Sequence, residues 1–391
     1  MKIVILSSWF SERMGYIENC LSKSLAKQGH EVHVVSSTAQ VYYNHPDYKK
    51  IYEPFLGKNI QEEGVRLLDG YKLHRLPFYN LNNKIIFKNL GRTLKNINPD
   101  IVQVFDASSY TTLQAAWYKI IFGYTLFTAN HTVASVFPLF QKGTNSIVHR
   151  IFFWFTRTIP GKLINHVTKK CYPPTVDARD IAIKYYGVSP EKTKLAPLGV
   201  DTDFFKPMLS AEDRKDKRNK LGFSENDIVC IYTGRFTDGK NPLCLAKAIN
   251  RLNESGMAFK GLFMGDGPQW NEIKNQNGCT IHKFVPYHEL PEYYGIADIG
   301  VWPKQESTSM IDAAACGLPI IISNKVLAKE RVDGNGLTYE ENNVDSLIEA
   351  LLQLEDPALR KQLSDIGIRK MQTHYSWDKI ARERIEDYRT I

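Results

Sequence analysis

Hydrophobic positions along this chain fall into two alternating patterns. Lys2–Ser7, Glu31–Val35, Asp100–Val104 and Thr125–Thr128 are short and mostly apolar, as strands buried on both faces are. Stretches with a helical period lie between them. Tyr16–Gln28 places Ile17, Leu21, Leu25 and Ala26 at helical spacing and ends at Gly29. Leu195–Pro197 reads as one more strand of this first series. Near Val200–Pro207 the pattern pauses at a proline-bearing linker, and a charged helix follows over Ala211–Leu221. Alternation then restarts, with strands at Ile228–Tyr232, Gly261–Met264, Thr280–Phe284, Ile299–Trp302 and Ile320–Ser323 and a helix over Pro242–Asn253.

Strands alternating with helices predict parallel sheets. Two such series predict two doubly wound, Rossmann-like α/β domains facing across a cleft. Ligands then bind beyond the carboxyl ends of the strands. The expected boundaries are 1–204 and 205–375, followed by a C-terminal segment, 376–391, whose helix Trp377–Tyr388 crosses back to the first domain.

Composition narrows the class. The chain has 391 residues, 43% hydrophobic and 24% charged, which fits two globular domains. It contains no run of 18 apolar residues, and Met1–Phe10 is too short an apolar stretch for a signal peptide. The six cysteines are scattered without metal-ligand spacing and read as reduced thiols, so the expected location is the cytoplasm. Charge is uneven. Residues 1–204 carry 25 Lys and Arg against 15 Asp and Glu, whereas the remainder carries 25 against 27. An anionic partner is therefore expected for the first half only. No helix-turn-helix, zinc-finger or RNA-binding signature accompanies the charge, so an anionic membrane surface is preferred to nucleic acid.

Two loops after strands carry candidate chemistry. In Thr233-Gly234-Arg235-Phe236-Thr237-Asp238-Gly239-Lys240-Asn241-Pro242, Gly234 allows a close turn, and Arg235 and Lys240 can converge on one anion beside a helix start. A diphosphate suits such a pair, since Arg offers a planar fork and Lys a compact charge. The same letters also fit two solvated cations at a turn. In Trp302-Pro303-Lys304-Gln305-Glu306-Ser307-Thr308-Ser309, three residues with hydroxyl and amide donors open a helix over Met310–Cys316. Glu306 can accept hydrogen bonds from sugar hydroxyls, and Asp312 can hold a ribose hydroxyl pair or simply suit the helix dipole.

Together these segments resemble the retaining glycosyltransferases of family 4, which have the GT-B fold. Gly15 before Glu18-Asn19, the stretch Leu25–Val32, and Asn130-His131-Thr132 are similar to that family's first domain. Pro197-Leu198-Gly199-Val200-Asp201-Thr202-Asp203-Phe204-Phe205-Lys206-Pro207 is similar to its interdomain linker. Gly234-Arg235 with Lys240, Gly265-Asp266-Gly267-Pro268, Leu290-Pro291 through Ala297-Asp298, Asp312–Pro319 and Asn335-Gly336-Leu337 follow in the family's order. The resemblance implies a nucleotide-diphosphate-sugar donor held by the second domain and a saccharide or lipid-linked acceptor admitted by the first. It implies catalytic roles for His131, Arg235, Lys240 and Glu306. Donor contacts are implied from Gly15, Gly234, Val285, Ser307, Thr308, Ser309 and Asp312, and a weaker acceptor contact is expected from Asp106. No metal or other cofactor is expected, because basic side chains meet the diphosphate.

One departure stands out. The family has two glutamates separated by seven residues, whereas here Glu306 precedes Asp312 with only five between them, so the loop is shorter. Asp201-Thr202-Asp203 spells a metal-binding pattern of another glycosyltransferase fold but lies in the linker. His131 fits either a structural role or one beside the reacting sugar. The stretch Ile147–Lys170, with Ile151-Phe152-Phe153-Trp154-Phe155 among cations, fits either a bilayer-lying segment or a buried helix with a basic outer face. The aromatic- and lysine-bearing stretches Tyr42–Leu56 and Tyr79–Leu90 are expected to edge the acceptor side. A nucleotide-sugar epimerase of the same plan and an inactive nucleotide-sugar-binding protein are the rival readings.

Overall fold

The computed structural model describes residues 1–81, 84–140 and 146–390. They form two compact units: unit 1 comprises Met1–Leu198 with Ile380–Ile391, and unit 2 comprises Gly199–Lys379. In unit 1 the elements run β1 (Lys2–Ser7), α1 (Ile17–Lys27), β2 (Glu31–Ser37), α2 (Tyr48–Ile51), α3 (Glu53–Leu56), β3 (Gly64–Leu68), β4 (Tyr71–Leu76), β5 (Phe78–Leu81), β6 (Lys84–Phe87), α4 (Leu90–Ile97), β7 (Ile101–Val104), α5 (Tyr110–Phe122), β8 (Thr125–Ala129), α6 (Ile147–Phe153), α7 (Ile159–Val167), β9 (Thr168–Tyr172) and α8 (Val176–Tyr186). Unit 2 continues with α9 (Ala211–Lys220), β10 (Ile228–Thr233), α10 (Pro242–Glu254), β11 (Phe259–Met264), α11 (Trp270–Lys274), β12 (Cys279–His282), α12 (Leu290–Ile296), β13 (Ile299–Trp302), α13 (Ser309–Ala315), β14 (Ile320–Ser323), β15 (Gly336–Tyr339), α14 (Val344–Gln353) and α15 (Pro357–His374). The last helix, α16 (Trp377–Arg389), starts in unit 2 and ends in unit 1.

Unit 1 is built on a sheet of order β3-β4-β2-β1-β7-β8-β9, parallel except where β3 meets β4. Ile3, Val4, Ile5 and Leu6 of central β1 are fully buried, which is why that strand is nearly all apolar. The end of α16 is held here by side chains. Tyr388 bonds Gln103 of β7 at 3.2 Å, and Asp387 accepts from Lys170, Lys194 and Tyr172 at 2.8, 2.8 and 3.0 Å. The second sheet runs β12-β11-β10-β13-β14-β15, and every recorded pairing in it is parallel.

Three expectations need correction. Leu195–Pro197 is irregular, although Lys194 and Ala196 donate to Cys171 and Pro173 carbonyls at 3.0 and 2.9 Å. Pro173 and Pro197 lack the N–H groups that a continuing ladder needs. The edge position belongs to β9, whose Lys169 and Lys170 hide its strand character in the sequence. The strand expected at Thr280–Phe284 ends at His282. Finally, the chain passes between units at Leu198/Gly199 and at Lys379/Ile380, a few residues from the expected 204/205 and 375/376. The linker residues Val200 and Phe205 belong to unit 2's core, with the Phe205 ring 4.9 Å from Tyr287 and 6.2 Å from Tyr294. Within that unit Val200 also pairs with the segment before α16, donating to Tyr375 O at 2.8 Å.

Candidate functional site

The loop after β10 is shaped by close backbone approach. A Cβ added to Gly265 would sit 1.9 Å from the Gly234 carbonyl oxygen, and one on Gly267 would sit 2.5 Å from that of Phe236. Main-chain bonds use that proximity: Gly234 N donates to Met264 O at 3.0 Å, and Phe236 N to Asp266 O at 2.9 Å. Gly265-Asp266-Gly267 is thus a backing strip for the Arg235 loop. Phe236 is fully buried while Arg235 is exposed, so the loop is anchored by an apolar side chain and presents a cation. Asn241 then takes a left-handed conformation, and α10 opens at Pro242.

The loop after β13 is pinned through its own carbonyls. Tyr339 donates to Pro303 O at 2.6 Å, and Lys240 Nζ donates to Glu306 O at 2.9 Å. Arg331, nearly buried on the turn Lys329–Arg331, reaches Ser307 O at the limiting distance of 3.5 Å. Burial pushes the Lys240 ammonium down to about 8, Glu306 opposes that shift, and the charges of Arg235 and Arg331 add to it. Three cations and one carboxylate therefore share one electrostatic neighbourhood in unit 2. Lys240 spends one donor on Glu306 O and has no second acceptor among the described residues. Such a cluster, held in place by main-chain bonds, can stabilise charge on an anion without rearranging.

The remaining donor-side residues divide. Ser307 and Ser309 close a turn on themselves, with Oγ atoms 3.2 Å apart and Ser309 N donating to Ser307 Oγ at 3.3 Å; Thr308 takes the position before α13 without a side-chain capping bond. Asp312 is nearly buried, and its carboxyl is pushed well above the usual range, first by burial and then by the charge of Asp201. That places it against the linker, with Tyr294 as another neighbour and the Tyr294 hydroxyl 3.0 Å from Thr233 Oγ1. Asp201 itself accepts from Asp203 N at 3.2 Å, so this Asp-x-Asp forms a turn. Val285 is half-buried in the loop after β12, packed on the unit 2 core. Asp298, in the family-like Ala297-Asp298 pair, is structural: it accepts from Arg214, Arg218 and Val229 N at 2.7, 2.5 and 2.8 Å.

In unit 1, Gly15 lies half-buried in the β1–α1 loop. Asp106 ends the stretch after β7, and its Oδ1 accepts from Ser108 N at 2.7 Å. His131, half-buried after β8, has its ring 5.9 Å from that of Phe105. Burial, with the nearby charge of Arg384, pushes its imidazole down to about 4, so it is neutral around pH 7. Tyr48, Tyr52 and Phe55 are buried, while Tyr79 and Leu81 of the β5–β6 hairpin are exposed.

Arg331 escaped the sequence reading. It lies well beyond the end of β14, in an unpatterned stretch, Lys325–Asp333, whose other cations Lys325 and Lys329 look the same in sequence. Only the fold distinguishes it by burial.

The two sheets and these loops define the GT-B class of glycosyltransferases. Residues 213–370 match the family model described as glycosyl transferases group 1, and residues 20–204 match glycosyltransferase family 4. The chain belongs to this family. It is 31% identical over 193 residues to the UDP-Gal:alpha-D-GlcNAc-diphosphoundecaprenol alpha-1,3-galactosyltransferase of Escherichia coli, covering 46% of this chain and 49% of that one. It is 23% identical to the alpha-monoglucosyldiacylglycerol synthase of Acholeplasma laidlawii, over 88% and 85% of the two chains. The match to the first of these curated relatives spans about half of its length. Among solved structures, Anabaena HepE in complex with UDP superposes with a TM-score of 0.73 at 14% identity over all of both chains.

Proposed function

We propose that this protein is a retaining glycosyltransferase that moves a sugar from a nucleotide-diphosphate donor to a saccharide or lipid-linked acceptor, in glycolipid or surface-polysaccharide synthesis. The observation that carries the reading is the meeting of Lys240, Arg235 and Arg331 around the Glu306 loop. In the reaction, the bond from the sugar's anomeric carbon to the diphosphate oxygen breaks as the bond to the acceptor oxygen forms. The acceptor's proton passes to the departing diphosphate. The cations stabilise the charge that grows there, and Glu306 orients the sugar's hydroxyls. Removing one such preorganised donor costs about 2.7–4 kcal/mol in a known case. His131, neutral at working pH, accepts or donates a hydrogen bond beside the sugar. The work takes place in the cytoplasm at an anionic membrane surface.

The names of two relatives support a lipid-linked acceptor: one acts on a diphosphoundecaprenol-linked sugar, the other makes a diacylglycerol glycolipid. The test is incubation of the full chain with a panel of nucleotide sugars and polyprenyl-diphosphate-linked or diacylglycerol acceptors, with products read by mass spectrometry. Transfer of an intact hexose from one donor is expected. Recovery of an epimerised donor, or no turnover with any donor and acceptor, contradicts the reading.

A further inference from the structure

The region between Asp106 and Asp177 is unlike the rest of the chain. From Ala107 to Val176 it carries seven Lys and Arg and no Asp or Glu. Its apolar residues are not all inside. Ile147, Val148, Ile151, Phe152 and Phe155 are each more than half exposed. They recur at the spacing of one helix face. The opposite face is anchored, with the Phe153 ring stacked 5.8 Å from Tyr186 and edge-on 5.5 Å from Phe137. Over Ile147–Phe155 the structure therefore does not fit a buried helix with a basic outer face, because the apolar face turns outward.

A second exposed apolar set of unit 1 lies where α5 packs on α7. On α5, Trp117, Ile120 and Ile121 are more than half exposed, as is Leu163 on α7. A groove of about 630 Å³ between them is lined by Ile86, Leu113, Trp117, Ile120, Leu163 and Val167. Monomeric soluble proteins rarely leave so many large apolar side chains together at the surface. Lys119, Arg150 and Lys162 are interleaved among them. Pairing of two copies through this face would bring like charges together, which disfavours a second copy as its cover.

We infer that this face of unit 1 lies on an anionic phospholipid bilayer, with α6 and α5 immersing aromatic and aliphatic side chains while the cations meet headgroup phosphates. The inference deepens the reading of a lipid-linked acceptor by naming the surface that meets the lipid. A contact ties the surface to the candidate acceptor turn. Between α6 and α7 the helix widens to π geometry over Trp154–Thr158, and Arg157 there donates to Ser108 O at 3.3 Å, two residues from Asp106. The segment that carries the exposed apolar face and the Asp106 turn are thus tied by a direct hydrogen bond within one unit.

Sedimentation with vesicles tests this without donor or acceptor, so its outcome is independent of the transfer assay. The full chain is mixed with vesicles of phosphatidylcholine containing one third phosphatidylglycerol, and with pure phosphatidylcholine. Binding to the anionic vesicles is expected to be at least about tenfold stronger and to weaken as salt rises. The double variant Ile151→Glu with Phe152→Glu, and separately Trp117→Glu with Ile120→Glu, are each expected to lose about tenfold in vesicle affinity while keeping the melting temperature, since these side chains are exposed. Equal binding to both vesicle types, no binding to either, or unchanged binding by both variants overturns the inference. A concentration-dependent dimer in sedimentation velocity that the variants dissolve overturns it in favour of a second copy.

Discussion

Lys240 Nζ donates to the main-chain oxygen of Glu306 at 2.9 Å, joining the loop after β10 to the loop after β13. The bond costs something, because the ammonium is largely withdrawn from water and crowded by Arg235 and Arg331. A charge held at that expense without a carboxylate bonded to it is what an anionic ligand would relieve.

Lys240 is accordingly expected to trade stability for binding. Its folded value of about 8 lies below the ordinary lysine value, so the unfolded chain holds the proton more tightly. The penalty is full below pH 8 and is relieved as pH rises from about 8 toward 10. Lys240→Met should therefore raise stability in urea unfolding at pH 7 by on the order of 1 kcal/mol, with a smaller gain at pH 9.5. Its affinity for nucleoside diphosphates should fall tenfold or more. A variant less stable at both pH values would show that the Glu306 bond outweighs the buried charge.

Arg331→Leu should lower transfer by roughly 10²-fold, the scale of one lost preorganised donor. Its melting temperature should stay close to the parent's, because the bond to Ser307 O is at its geometric limit of 3.5 Å. Activity within twofold of the parent, measured with saturating acceptor, would remove Arg331 from the site.

The glycine strip predicts a sharp contrast in stability. Gly265→Ala places a Cβ 1.9 Å from the Gly234 oxygen and should cost more than about 2 kcal/mol. Gly256→Ala meets nothing within 4 Å and pays only for its positive φ of 80°, about 1 kcal/mol. Equal losses in chemical denaturation would mean that the loop yields and that the close approach is not required.

His131, whose folded value of about 4 lies below the ordinary 6.5, takes up a proton more readily in the unfolded chain. Its contribution is intact above about pH 6.5 and lost as pH falls toward 4. His131→Leu should blunt the acid-side loss by on the order of 1 kcal/mol at pH 5, read from unfolding at pH 7 and pH 5. An identical pH slope in parent and variant would place the imidazole in water.

Much of this was legible in the amino acids, for identifiable reasons. β1, β13 and β14 are buried on both faces, so their apolar runs announce them at their full bounds. β3 and β9 lie at sheet edges and neither was anticipated: β3 is a short, exposed Gly-Val-Arg-Leu-Leu run, and β9 carries Lys169 and Lys170. The partnership of Arg235 and Lys240 was readable because both lie in one loop after a strand. The pinning of Glu306 was not, since it uses a main-chain oxygen and no side-chain letter encodes it. Arg331 and the outward turn of Phe152 depend on which face packs inward, and that is decided by contacts far apart in sequence.

The central claim is that the unit 2 cations grip a diphosphate. Calorimetric titration of uridine, guanosine and adenosine diphosphates into the full chain and into Arg235→Ala tests it most directly, with the matching nucleoside as control. One diphosphate should bind at least about tenfold more tightly than its nucleoside, and Arg235→Ala should erase most of that difference. A diphosphate that binds no better than its nucleoside, or a preference that Arg235→Ala leaves unchanged, would contradict it.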